Sequence, residues 1–170
     1  MPVRPILRWP DPLLSAPAAP VGEPDAETRA LADDLLETMR AAPGVGITGP
    51  HVGAMRRIAV LELPGDAAPR VYCDPKVVWA SDETARATEG SVSMPGITDE
   101  VERPASVRVA YRDLDGAARE EAAEGFRAAC LQHEIDQLDR IFWLRRLGRV
   151  RRERAVKRWE KVRRGRAATS

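Results

Sequence analysis

The stretch Gln132-His133-Glu134-Ile135-Asp136-Gln137 decides how this chain is read. It looks like the metal-binding helix of a hydrolase with its second histidine replaced. In the H-E-x-x-H pattern, two histidines four residues apart share one helical face and grip a metal. The glutamate between them handles the proton of the attacking water. His133 and Glu134 keep their places, and Gln137 stands where the partner histidine belongs. The spacing therefore predicts a helix from about Gly125 to Arg140 built for metal-assisted hydrolysis, with the metal set altered.

Outward from that helix, the chain predicts strands before it and a further helix after it. The proline-rich start, Met1 to Glu23, reads as an extended arm with little regular structure. Asp25 can cap a helix to about Arg40, whose buried stripe is Leu31, Leu35 and Met39, and Pro43 and Gly44 end it. A glycine-rich loop follows, from Gly44 to His51. Strand signals lie at Arg57 to Leu63 and Val71 to Trp79. Val107, Val109 and Tyr111 alternate as a strand, and Asp115-Gly116 is a hairpin turn signal. A basic helix is expected from about Arg149 to Arg164. Strands grouped between an early and a late helix predict an α+β fold. The division expected is 1–148 as the body, with 149–170 a basic helix and tail of the same domain.

The 170 residues suit one domain with a real core. No apolar run approaches the ~20 residues that span a bilayer, so no membrane partner is expected. Cys73 and Cys130 are too few for a disulfide framework and point to a reducing, cytoplasmic setting; both read as core or structural cysteines. Abundant Arg, Ala and Pro with little Lys fit a bacterial, high-GC composition. The net charge of +1 hides an asymmetry: Arg145 to Arg166 carries a net +10 and the remainder −9.

Three segments in order resemble the peptide deformylases. The family's G-x-G-x-A-A-x-Q is matched by GVGITGPH at Gly44 to His51, its E-G-C-L-S by EGSVS at Glu89 to Ser93, and its Q-H-E-x-D-H by QHEIDQ at Gln132 to Gln137. The similarity extends over the arm, the first helix, the Arg103-Pro104-Ala105-Ser106 segment and the basic tail. It implies a central motif helix surrounded by antiparallel sheets. It also implies a divalent metal such as Fe, Ni or Zn, held at positions that here are Ser91, His133 and Gln137. Glu134 would be the general base. His51 and the Val92 N–H would serve the oxyanion. Gly44, Val45, Gly46, Glu89 and Gly90 would flank the bound substrate, a small N-acylated molecule or a peptide N-terminus lying alongside as an added strand.

Ligand chemistry argues against a tight metal here. A thiolate holds Zn or Fe well, whereas a serine hydroxyl and a glutamine carbonyl are poor donors. Two alternatives stay open. The chain's two histidines, His51 and His133, both map to the site and with Gln137 could hold a metal loosely. Without metal, Ser91 and His133 could form a nucleophile and base pair for acyl transfer. The plainer readings are His133 as a core histidine and Ser91 as a small filler hydrogen-bonded to Gln137. For the tail, the resemblance implies ribosome contact and the charge suits phosphate. The alternative is a solvated face anchored by Val150, Val156 and Trp159.

Overall fold

The structure is a computed structural model that describes residues 2–169. Its elements in chain order are α1 (Ala26–Ala41), β1 (Gly46–Thr48), β2 (Ile58–Leu61), β3 (Arg70–Ala80), β4 (Thr84–Gly90), β5 (Thr98–Pro104), β6 (Ser106–Arg112), β7 (Ala118–Glu124), α2 (Gly125–Leu138) and α3 (Arg149–Thr169). One sheet runs β1-β2-β3-β6-β7, and β4 pairs with β5 in a separate two-stranded hairpin; every named pairing is antiparallel. The expected α+β architecture is the observed one.

Helix α1 starts at Asp25, whose side chain accepts the Thr28 N–H at 2.9 Å, and it buries Leu31, Leu35 and Met39. Helix α2 lies at the centre. Ala128, Leu131, Ile135 and Leu138 recur every three or four residues and pack against Leu61, Tyr72, Val107 and Val109 of the sheet. Its other flank is also covered, so every residue from Leu131 to Leu138 is buried. A helix segment buried all round has to satisfy its polar side chains internally, and these residues of the C-terminal half of α2 make the site. Arg57 closes its C-terminal end, bonding the Leu138 carbonyl at 3.0 Å and Asp139 at 2.8 Å, where a cation suits the helix dipole.

Several expectations are corrected. Helix α2 ends at Leu138 rather than Arg140, which takes φ 69°. Helix α3 runs on to Thr169. The loop at 44–51 contains β1 and a 3-10 turn at Gly49–Val52, and the arm holds another at Pro12–Ser15. Val150 does not anchor α3, being 59% exposed. Ala155 and Trp159 do, packed with Leu14, Met94, Phe142 and Trp143, and Trp159 Nε1 donates to the Trp9 carbonyl at 2.9 Å. No described helix is long and apolar enough to cross a membrane.

Candidate active site

A cleft of about 350 Å³ opens where three segments meet. Gly44, Val45 and Gly46 form one wall. Glu89, Gly90, Ser91 and Val92, at the end of β4, form another. Phe126, Ala129, Cys130, His133 and Glu134 of α2 form the floor. Two glycines permit this closeness: a Cβ on Gly46 would lie 3.2 Å from the Glu134 carboxyl, and one on Gly44 would lie 2.8 Å from Val92 Cγ1. Cys130 thus lines the cleft rather than serving only as core packing, and Phe126 is half exposed at its edge. Neither residue belongs to the motifs, so its place on the cleft leaves no signal in the sequence.

His133 sits at the end of a charge network. Its Nδ1 lies 2.9 Å from Glu89 Oε1, and Arg103 clasps the same carboxyl with Nε at 2.6 Å and a second N–H at 2.9 Å. Burial pushes Glu89 up, but the hydrogen bonds from His133 and Arg103 outweigh it and hold the carboxyl at about 2. An ionised carboxylate only accepts, so His133 carries a proton on Nδ1. Its Nε2 is then the atom turned to Glu134, 3.7 Å from Oε1. Burial raises Glu134 to about 7, with the His133 charge opposing and Glu89 adding to the rise. Burial works against a charged His133, yet the Glu89 bond and the two glutamates hold its pKa above the ordinary value. Glu134 Oε2 is buried without a hydrogen-bond partner.

His51 is oriented the opposite way. Its Nδ1 takes the Thr48 backbone N–H at 2.9 Å, so the ring proton belongs on Nε2. That Nε2 is buried and has no hydrogen-bond partner. Burial first, and the nearby His133 second, lower the His51 pKa to about 3, so the ring is neutral. A neutral ring with a proton on Nε2 presents a donor there and not a lone pair, which argues against the His51, His133, Gln137 ligand set.

Gln137 is 2% exposed and turns its amide nitrogen to the Leu14 carbonyl at 2.7 Å. It does not bond Ser91, as the filler reading expected. Ser91 Oγ instead accepts the Ser93 N–H at 3.1 Å. Val92 is held through its carbonyl, which accepts from Arg8 at 3.0 Å. Arg103, Asp136 and Arg146 were not read as part of the site. The sequence signal for Arg103 was its place in Arg-Pro-Ala-Ser, seen only as the lead into β6.

The polypeptide deformylase family model matches residues 3–153. The chain belongs to that family. A peptide deformylase-like protein of Rhizobium meliloti (strain 1021) is 58% identical over 167 residues, 98% of this chain and 97% of that one. A peptide deformylase of Phenylobacterium zucineum (strain HLK1) is 43% identical over 164 residues, 95% of this chain and 97% of that one. The crystal structure of peptide deformylase from Ehrlichia chaffeensis superposes with a TM-score of 0.92 at 33% identity, covering 98% of this chain and 99% of that one.

Polypeptide deformylases use a divalent metal, and the donors of this chain do not fit a tightly held one. Ser91 offers a hydroxyl and Gln137 only a neutral carboxamide oxygen, leaving His133 as the one imidazole at the three ligand positions. Among the described residues no three His, Cys, Asp or Glu side chains converge as a metal set.

Proposed function

We propose that this deformylase-family protein hydrolyses a small N-acyl amide, an N-formylated peptide N-terminus being the first candidate, without a tightly held metal, and that ordinary metal-dependent deformylase activity is weak or lost. The observation that carries this reading is the pair of buried, unpartnered atoms His51 Nε2 and Glu134 Oε2. Buried polar groups are normally satisfied, so an orphan on Glu134, which lines the cleft, and another on His51, which is near His133 but outside the cleft lining, suit a ligand that supplies their partners. A pKa of about 7 lets Glu134 accept and return a proton near neutral pH.

In this scheme Glu134 takes a proton from water as the water oxygen bonds to the acyl carbon. The developing oxyanion rests on His51 Nε2–H and the Val92 N–H. Glu134 then passes the proton to the amide nitrogen as the C–N bond breaks, giving a carboxylic acid, formic acid for a formyl group, and an amine.

A second reading keeps Ser91 as nucleophile and His133 as its base for acyl transfer. It is favoured only by their sharing the cleft, since Ser91 Oγ already accepts from Ser93. A third keeps the groove as a peptide binder without chemistry. Formate release from N-formyl-Met peptides, with and without added Fe, Ni, Co or Zn, tests the first reading. Slow metal-independent release that Glu134→Gln abolishes supports it. Turnover of roughly 1–1000 per second with metal contradicts it. An acyl group found on Ser91 by mass spectrometry selects the second reading, and peptide binding without release selects the third.

A further inference from the structure

The Glu89–Arg103 contact is one link of a longer chain. Arg103 also donates to Asp136 Oδ2 at 2.8 Å, and Arg146 grips the same Asp136 carboxyl with Nε at 2.8 Å and a second N–H at 2.7 Å. The order Arg146, Asp136, Arg103, Glu89, His133 alternates cation and anion up to the imidazole. Glu89 and Arg103 have side chains only 6% exposed and Asp136 11%, whereas Arg146 is 44% exposed. The outer links line a second cleft of about 680 Å³, together with Arg57, Lys76 and Glu102, while Glu89 and His133 line the first. The network therefore joins two openings on different sides of α2.

We infer that Arg103, backed by Asp136 and Arg146, is a positioning residue that fixes the orientation of His133 through Glu89. The physical basis is geometric. Glu89 accepts two N–H groups of one planar guanidinium, so its carboxylate plane follows that of Arg103. Asp136 fixes the other face of Arg103, and the forked contact from Arg146 fixes Asp136. A ring hydrogen-bonded to a held carboxylate keeps one orientation and one protonated nitrogen, the role outer partners play for many functional histidines. Helix α2 has an apolar flank that would hold its backbone without these ions. The ionic chain therefore adds side-chain orientation to a helix already fixed by packing. The inference concerns the site of the proposed function but does not require turnover.

The test is NMR of the whole chain, reading the His133 ring nitrogens and the solvent exchange of its Nδ1–H. Arg146→Gln changes the outermost, partly exposed link and leaves Glu89, Arg103 and His133 intact. The expected result is exchange of the His133 Nδ1–H about tenfold faster, equivalent to about 1.4 kcal/mol. The His51 ring and the α2 amides should stay unchanged, because general loosening would move all three. Arg146→Lys, which keeps the charge but not the fork, should fall between wild type and Arg146→Gln and gives the same reading should the glutamine variant not fold. An unchanged His133 signal, or one that moves together with His51 and the α2 amides, overturns the inference. Formate release measured separately reports on the proposed function, so the two can fail independently.

Discussion

Gln137 Nε2 donates to the Leu14 carbonyl at 2.7 Å, tying the C-terminal turn of α2 to the N-terminal arm. A position that faces a metal in the family's pattern has become an internal brace. Gln137→Ala removes a buried donor and should lower stability by about 1–3 kcal/mol. Urea unfolding checks this, and an unchanged midpoint would show that the brace carries no load.

The same relationship governs restoration of the ligand set. Gln137→His alone loses the Leu14 bond without gaining a thiolate. Ser91→Cys combined with Gln137→His should rebuild one thiolate and two imidazoles on an intact helix. The double variant is expected to bind about one equivalent of Zn, and each single variant less. A double variant that binds no more metal than the parent would show that the segments around the cleft are set differently from the family's.

His51 and Glu134 should tilt the pH dependence of stability in opposite directions. The His51 pKa is about 3 in the fold against an ordinary 6.5, so below pH 6.5 the unfolded chain binds the extra proton and stability falls as pH drops. Glu134 is about 7 in the fold against an ordinary 4.5, so between those values the folded chain binds the extra proton and stability rises as pH drops. The two largely cancel between pH 6.5 and 5. His51→Gln should leave a protein that gains stability toward pH 5, and Glu134→Gln one that loses it. Each slope should be at most about 1.4 kcal/mol per pH unit. Glu89 loses its contribution only below its ordinary 4.5, as pH falls toward about 2, outside this window. Parallel profiles for the two variants would contradict the assigned charges.

The frame of the fold was legible where one face is apolar. Leu31, Leu35 and Met39 announced α1, and Val107 and Val109 announced β6. Strands β4, β5 and β7 were not legible. The β7 sequence Ala118–Glu124 is rich in Ala, Glu and Arg, which favour helix, and it is a strand because it pairs residue for residue with β6. The β4–β5 hairpin buries little beyond Glu89, Val101 and Arg103, so it leaves no alternating pattern. At the site, the motifs located the cleft walls. The direction of Gln137 was hidden because its partner lies 123 residues away on the arm. The network behind His133 was hidden because single charged residues in sequence do not reveal which of them pair.

The basic helix α3 should bind a polyanion such as ribosomal RNA. Arg152, Arg163 and Arg164 are exposed along it. Truncation before Arg149 is a poor test, because Trp159 is 1% exposed within the core. Replacing Arg152, Arg163 and Arg164 with Gln leaves that anchor in place. Sedimentation with ribosomes at two salt concentrations should show binding at low salt that weakens sharply with added salt, since each phosphate contact adds a slope of about −0.7 to −0.9. The triple variant should bind more weakly. Absence of binding at low salt would leave α3 as a solvated structural helix.

The proposed function needs a cleft that works or binds without a tightly held metal. Elemental analysis of the protein, purified with neither chelator nor added metal, tests that most directly. Fe, Ni, Co and Zn together well below one atom per chain are predicted. A single transition metal at about one atom per chain, lost on Ser91→Ala or Gln137→Ala, would show instead that Ser91 and Gln137 still serve as ligands.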